Sequence, residues 1–252
     1  MTQFTVRARD WRQRIYNFNY FNRSEWVKAW AARTPAGAVV LDVGAGSAQY
    51  RSLFAHCDYR THDFGQEPSS IGSYAKLDYE SDINSIPIAA ASVDVVLCTE
   101  VLEHVPEPIL AVREMARILK PGGRLLLTAP LGSLLHQQPY HFYGGYTPYW
   151  YEKFVREAGF VDLIVEANRG FFGSLTQEST RFRELIRPRN TRQLSFMNRA
   201  AATLLWLLAW PCDWLFPPIA HWLDGLKLER VGTIGYHVSA TRRSLAEDMP
   251  AC

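Results

Sequence analysis

The chain has 252 residues, 48% hydrophobic and 21% charged, with 27 basic side chains against 25 acidic for a net charge of +2. This excludes wholesale disorder and a protein that coats nucleic acid by bulk charge, and it fits one moderately large domain or a domain with an insertion. Cys57, Cys98, Cys212 and Cys252 lie far apart, with no CxxC pair and no ligand-like spacing to histidine, which argues against a disulfide scaffold or a metal site and for a reducing cytosol. Residues 1–36 form a basic and aromatic cap segment in which Arg7, Arg9, Arg12 and Arg14 alternate with Trp11, Tyr16, Phe18, Tyr20 and Phe21. The segment lacks the apolar stretch of a signal peptide. Ser24 is a good N-cap for a short helix to about Arg33, ended by Pro35 and Gly37.

Residues 37–167 alternate between strand and helix patterns. A short apolar run at 38–43 reads as a buried strand, 47–55 as helix, and 59–62 and 75–77 as short strands. Residues 93–98 are a second buried strand. In 108–119 the apolar residues Ile109, Val112, Met115, Ala116 and Leu119 recur at helical spacing, stopped by Lys120-Pro121-Gly122-Gly123. Strand 124–128, helix 148–158 and strand 161–166 follow. The alternation means a parallel sheet covered on both faces. Residues 168–230 break the rhythm with an arginine- and tryptophan-rich insertion. Residues 231–252 supply a closing strand, 233–240, and a tail from 247 expected to fray.

Leu41-Asp42-Val43-Gly44-Ala45-Gly46 joins the first strand to the predicted helix. Glycines there let a ligand approach the backbone, and a helix N-terminus offers unpaired N–H groups; a tight turn without a ligand has the same look. A dinucleotide fingerprint needs a third glycine where Gln49 stands. Asp42 would repel a pyrophosphate but receive an ammonium group, so the turn suits a ligand with a cationic amino-acid end. Asp63, about 20 residues further, has the spacing of a ribose-binding carboxylate. Asp78 with Tyr79 after the third strand could meet an adenine amine and face. Each aspartate alone is an ordinary loop acid, but together, at the carboxyl ends of three strands, they mark a ligand-binding edge.

The hexapeptide, Asp63, Asp78, the run Ser92-Val93-Asp94-Val95-Val96-Leu97-Cys98-Thr99-Glu100-Val101-Leu102-Glu103-His104-Val105 and Leu119-Lys120-Pro121-Gly122-Gly123, in that order, resemble the class I S-adenosylmethionine-dependent methyltransferases, in particular the branch often called type 11. The resemblance covers about half of the chain. It implies an α/β, Rossmann-like, seven-stranded and mostly parallel sheet with helices on both faces. The last strand would be antiparallel and inserted between the fifth and sixth, with the helical insertion connecting strands 6 and 7. It also implies S-adenosyl-L-methionine as donor: Asp42, Gly44, Ala45 and Gly46 around the methionine portion, Asp63 at the ribose, Asp78 and Tyr79 at the adenine, and Cys98, Thr99 and Glu100 along the other side. Methyltransferases of base amines carry Asn/Asp-Pro-Pro-aromatic after the fourth strand. This chain has Cys98-Thr99-Glu100-Val101, so no nucleic-acid partner is expected.

The loop 131–148 concentrates His136 and His141, the aromatics Tyr140, Phe142, Tyr143 and Tyr146, and a Gly144-Gly145 hinge. Aromatic faces suit a polyhydroxylated acceptor, and a hydroxyl nucleophile benefits from a base of near-neutral pKa; aromatics that merely lock the loop to the sheet are the alternative. His141 is the first candidate base, His136 the second, and His104, in the Glu-His pair after the fourth strand, the third. His56, His62, His221 and His237 have no comparable context. In-line placement accounts for much of a methyl transfer, so a base is not compulsory. The loop is also similar to that of bacterial methyltransferases of surface-polysaccharide synthesis, which implies O-methylation of a sugar or a lipid-linked glycan intermediate. A small natural product or quinone-like lipid as acceptor is the alternative, and a non-catalytic donor-binding or scaffold protein is the reading of another class.

In the insertion, Arg181, Arg183, Arg187, Arg189, Arg192 and Arg199 stand against Glu184 alone, ahead of thirteen uncharged residues, 200–212. Trp206, Trp210 and Trp214 recur every four residues, so they share a face if Pro211 only kinks the helix. Arginines followed by a short tryptophan-rich helix suit membrane-surface contact through residues 181–222, at most peripheral at the inner face of the plasma membrane of a cytoplasmic protein. A helical hairpin packed on its own domain or in a dimer is the alternative. Pro211, Asp213 and Pro217-Pro218 argue against a spanning helix. The sixth strand should end, and the seventh begin, at the ligand edge of the sheet.

Overall fold

The apolar run expected near residue 40 forms β1 (Val39–Val43), the centre of the ligand edge in a computed structural model that describes residues 13–65, 75–226 and 232–244. The expectations for Arg7, Arg9, Trp11, Arg12, Cys252 and the frayed tail lie outside the described residues. Around β1 a seven-stranded sheet runs in the order β3-β2-β1-β4-β5-β7-β6, with β2 at Asp58–Asp63, β3 at Tyr79–Glu80, β4 at Val93–Thr99, β5 at Leu119–Pro130, β6 at Phe160–Ala167 and β7 at Gly235–Arg242. Strand β7 is antiparallel to both β5 and β6, and the other pairs are parallel. This is the Rossmann-like sheet expected, antiparallel last strand included.

Side chains alternate across a strand, and here both faces are buried. Val40, Val95, Leu97 and Leu126 face one layer with Phe54, Tyr59 and the residues Val27 and Ala31 of helix α1 (Phe18–Ala31). Leu41, Val43, Val96, Leu125 and Leu127 face the other, against Val112, Met115 and Ile118 of α2 (Pro108–Ile118) and Tyr151 and Val155 of α3 (Pro148–Glu157). Thr147 caps α3, its Oγ1 accepting the Trp150 N–H at 3.3 Å, ahead of Pro148 in the first turn.

The chain divides into two compact units: Arg23–Ala167 with the residues from Gly235 onward, and the residues up to Asn22 with Asn168–Ile234. Four expectations within the sheet unit need correction. Helix α1 begins at Phe18, leaving Ser24 inside it with a buried hydroxyl. No α-helix follows the glycine turn. Gly46 and Ala48 have φ of +50° and +54°, which interrupts the α run, and only a 3-10 turn at Arg51–Phe54 forms. The third strand is Tyr79–Glu80, not 75–77. Ahead of it the Asp78 carboxylate takes the Thr61 N–H (2.8 Å) and hydroxyl (3.0 Å), and this fastens that stretch beside β2. Finally, Lys120-Pro121-Gly122-Gly123 ends α2 as expected, yet it lies inside β5, with Gly122 at φ +78° and Lys120 Nζ on Asp94 at 2.7 Å.

The second unit is a helical hairpin of α4 (Phe171–Leu185) and α5 (Phe196–Gly225). Asp224, near the end of α5, accepts the N–H groups of Phe172 and Gly173 at the start of α4 (3.1 and 3.0 Å) and pairs with Arg169 at 3.2 Å. Arg183 of α4 pairs with Asp213 of α5 and lies over the Trp206 ring, 4.8 Å from its centroid. These contacts make the two helices antiparallel. Helix α5 continues through Pro211, Pro217 and Pro218, so the prolines do not stop it, although each withholds an N–H. Among the described residues no helix is long and apolar enough to cross a membrane.

Leu97 is fully buried in β4, whereas Leu207 of α5 is 55% exposed. Leu97→Ala should therefore lower the unfolding free energy by about 2–5 kcal/mol. Leu207→Ala should stay within about 0.5 kcal/mol of the parent chain. Urea unfolding midpoints at a common slope check both values.

Candidate active site

β1, β2 and β4 end level with one another, because Val43 pairs with both His62 and Cys98. Beyond those ends lies a cavity of about 230 Å³, whose lining includes Gly44, Gly46, His62, Asp63, Asp82, Ile83, Glu100, Val101 and His104 from the strand ends and Tyr140 and Phe142 from the loop after β5. Gly44 has φ +72°, and a Cβ there would come within 2.3 Å of Val101 Cγ2. Only glycine leaves this floor open.

The backbone donors of the turn are already used. Gly44 and Ala45 N–H both bond the His62 carbonyl (2.9 and 3.0 Å), and Gly46 N–H bonds Asp63 Oδ2 at 2.9 Å. The expected helix N-terminus with free N–H groups is absent. What faces the cavity instead is acid and apolar surface. Glu100 holds a strained φ of +54°, accepts the Thr128 hydroxyl at 2.9 Å and pairs with Arg23 at 3.3 Å.

Asp42 lies behind this surface, 2% exposed, and accepts the Tyr59 hydroxyl. Burial, with Asp63 adding to it, pushes its carboxyl up to about 7. Cys98 is fully buried, and burial raises its thiol well above the ordinary range. Asp42, Ala45, Asp78, Tyr79, Cys98 and Thr99 do not line the cavity, while Gly44, Gly46, Asp63 and Glu100 do. Asp78 is spent on Thr61, and the Tyr79 hydroxyl accepts from Arg60 at 3.3 Å. Asp82 and Ile83, a few residues further on, do line the cavity. The principle of an acid beyond each strand end holds, but β3 lies a few residues later than its weak apolar pattern suggests. His62 lines the cavity as well, contrary to the reading that it has no site context.

Part of the 131–148 loop is locked to the sheet unit and part of it lines the cavity. Tyr143 and Tyr146 lock it, donating to the carbonyls of Pro106 (2.9 Å) and Leu102 (2.7 Å), and the N–H groups of Phe142 and Tyr143 bond the Glu103 carbonyl. Tyr140 and Phe142 line the cavity, with Tyr140 edge-to-face against Phe64 at 5.8 Å. The loop also gathers all three candidate histidines. Ring centroids are 4.8 Å apart for His104 and His136, 4.6 Å for His136 and His141, and 5.8 Å for His104 and His141. Burial first, and then the neighbouring rings, hold His104 and His141 below the usual imidazole range.

Residues 41–127 match the family model described as a methyltransferase domain. A ubiquinone biosynthesis O-methyltransferase of Xanthomonas axonopodis pv. citri is 36% identical over 118 residues, 42% of this chain and 48% of that protein. An uncharacterized methyltransferase of Mycobacterium sp. is 36% identical over 104 residues, 38% of this chain and 40% of that one. The chain thus spans about half the length, or less, of these curated relatives. Among solved structures, a provisionally assigned methyltransferase of Bacillus halodurans has a TM-score of 0.50 at 15% identity, covering 86% of this chain and 99% of that one. The cyclase SpnF has 0.50 at 19%, covering 89% and 81%. At these identities the likeness shows the Rossmann-like fold that they share.

The Asp42 carboxyl keeps its proton to about pH 7 in the fold, against an ordinary 3.8. Between those values the unfolded chain has released a proton that the folded chain retains. Stability therefore falls as pH rises, by up to about 1.4 kcal/mol per pH unit. Asp42→Asn keeps an oxygen for the Tyr59 hydroxyl and has no proton to lose. Its thermal midpoint should gain on the parent chain from pH 4.5 to 7.5; a constant difference across that range would contradict the burial argument.

Proposed function

We propose that this chain is an S-adenosylmethionine-dependent methyltransferase acting at oxygen on a sugar or lipid-linked glycan intermediate. The observation that carries this reading is the cavity at the level ends of β1, β2 and β4, with its glycine floor, its acids Asp63, Asp82 and Glu100 and its apolar members Ile83 and Val101. Those groups fit a donor with ribose hydroxyls, a flat base and a cationic amino-acid end, and they do not fit a pyrophosphate. Asp63 and Asp82 offer acceptors to hydroxyl and amine donors, Ile83 and Val101 offer apolar contact to a ring, and Glu100 offers negative charge to the cationic end. Bound, the donor supplies a methyl group already activated on a sulfonium.

The chain's own contribution is placement and a proton acceptor. Burial holds the imidazoles of His104, which lines the cavity, and of His141 beside it below their usual range, which favours the neutral ring that can accept the proton of an acceptor hydroxyl. Tyr140 and Phe142 give the same rim aromatic faces for a sugar or a ring. The second reading, a quinone-like lipid acceptor, is favoured by the relative named as a ubiquinone biosynthesis O-methyltransferase. Both acceptors are carried by membranes, and α5 has a matching surface. Leu204, Leu207, Leu208, Trp210, Trp214 and Leu215 are exposed, Trp210 to 56%, with exposed Arg192 and Arg199 beside them. Such a helix suits the headgroup region of an anionic bilayer. Trp206 does not share that surface, being held under Arg183.

Asp63→Ala should weaken S-adenosylmethionine binding about ten- to a hundredfold in calorimetric titration, through loss of charge-assisted hydrogen bonds. His141→Ala should leave donor affinity intact and lower turnover, by up to about a hundred- to ten-thousandfold if the ring is the base. Released S-adenosylhomocysteine, counted across glycan and quinone-type acceptors, separates the two readings, and donor binding without turnover on any of them would indicate a donor-binding scaffold. Co-sedimentation with anionic liposomes should recover the parent chain in the pellet, and Leu207→Ser with Trp210→Ser should return it to the supernatant. Equal recovery of both in the supernatant would remove the membrane surface from the reading.

A further inference from the structure

We propose that His104 and His136, with the carboxylate of Glu103, hold a divalent transition-metal ion beside the cavity, and that the His141 ring lies next to it outside the coordination shell. Sequence spacing does not suggest this, since the residues lie at 103–104 and 136–141. The loop brings them together: one ligand atom from each of Glu103, His104 and His136 lies within 4.8 Å of the others.

The hydrogen bonds already assign the tautomers that such a site requires. His104 Nδ1 bonds the Tyr140 carbonyl, and His136 Nδ1 bonds the Leu134 carbonyl at 2.8 Å. A carbonyl only accepts, so both Nδ1 atoms carry the hydrogen and both Nε2 atoms keep a lone pair. Ser133 Oγ donates to the Gly144 carbonyl at 3.3 Å and therefore accepts from His141 Nε2 at 3.0 Å, leaving the His141 Nδ1 lone pair free. Metal-bound histidines show this arrangement, with the second nitrogen donating to a carbonyl or hydroxyl. The carboxylate supplies an independent sign. Glu103 is 1% exposed, its Oε2 has no hydrogen-bond partner, and its Oε1 lies 3.8 Å from His104 Nε2. An orphaned buried carboxylate oxygen is costly unless an ion completes it.

Two imidazoles and a carboxylate match the donor set of zinc enzymes that keep an open coordination position. Ligand atoms around zinc lie about 3.3 Å apart in a tetrahedron, so closure requires His136, on an exposed stretch of loop, to swing inward. An acceptor hydroxyl at the open position would have its pKa lowered by the ion. That consequence rests on the methyl-transfer reading; binding of the ion does not.

The test is calorimetric titration of the metal-stripped full chain with Zn²⁺, paralleled by Co²⁺ and its visible d–d absorption. One equivalent should bind the parent chain. His136→Ala, at an exposed position that is not needed for folding, should weaken binding by at least about tenfold and abolish the cobalt band. Glu103→Gln should do likewise, whereas Ser133→Ala, which reaches only His141, should leave binding and the cobalt band unchanged. Absence of binding, or binding and a spectrum unchanged in both His136→Ala and Glu103→Gln, overturns the proposal. Titration of the same preparations with S-adenosylmethionine reads the donor site separately, so a failure of the methyltransferase reading and a failure of the metal site are distinguishable.

Discussion

The level ending of β1, β2 and β4 is the constraint on which the rest of the site depends. Val43 is paired to His62 on one side and to Cys98 on the other, so three chains must turn away at one height. The carbonyl of His62 then meets the N–H groups of Gly44 and Ala45, and the Asp63 carboxylate meets Gly46. The turn is held by the neighbouring strand's end, and its shape does not depend on a helix following it. This explains why a chain without an α-helix after β1 still forms the cavity, and why its ligand-facing character comes from acids.

Glu103 couples that edge to the loop after β5. Its carbonyl receives two loop N–H groups while its carboxylate stays buried within the fold. One residue thereby anchors the loop and places its buried carboxyl beside His104, with Oε1 3.8 Å from His104 Nε2. Tyr143 and Tyr146 add hydrogen bonds from the same stretch to Pro106 and Leu102, so the segment carrying His136 and His141 is tied to that following β4 at several points. Placement of this kind matters in methyl transfer, where orientation of two reactants provides much of the acceleration.

The hairpin of α4 and α5 follows a different economy. Its inner contacts are ionic and polar: Asp224 with Arg169 and the start of α4, and Arg183 with Asp213 over the Trp206 ring. Most of the leucines of α5 and three of its four tryptophans, Trp210, Trp214 and Trp222, are left outward. On the proposed reading, this outward apolar row is the surface that meets a membrane. The chain leaves the sheet at Ala167, opposite Tyr236, and returns at Gly235, opposite Pro130. β6 therefore ends, and β7 begins, at the ligand edge of the sheet.

The sequence by itself determined the sheet and its edge. Continuous apolar runs such as 93–98 can be buried only in a strand covered on both faces, and glycines followed by spaced aspartates belong at strand ends whatever packs around them. It also determined that a charged, tryptophan-bearing helix interrupts the sheet. Tertiary structure decided the rest. Ala75-Lys76-Leu77 and Tyr79-Glu80 carry equally weak strand patterns, and the bonds between Asp78 and Thr61 chose between them, so that Asp82 and not Asp78 lines the cavity. Asp42 was recognisable as an acid at a strand end, but its burial behind Tyr59 depends on β2 lying alongside. The meeting of His104 with His136 and His141 had no local signal, because more than 30 residues separate them and only loop closure onto Glu103 brings the rings together. Pattern within one element is a local property of the chain, whereas the partner of a polar side chain is a property of the whole fold.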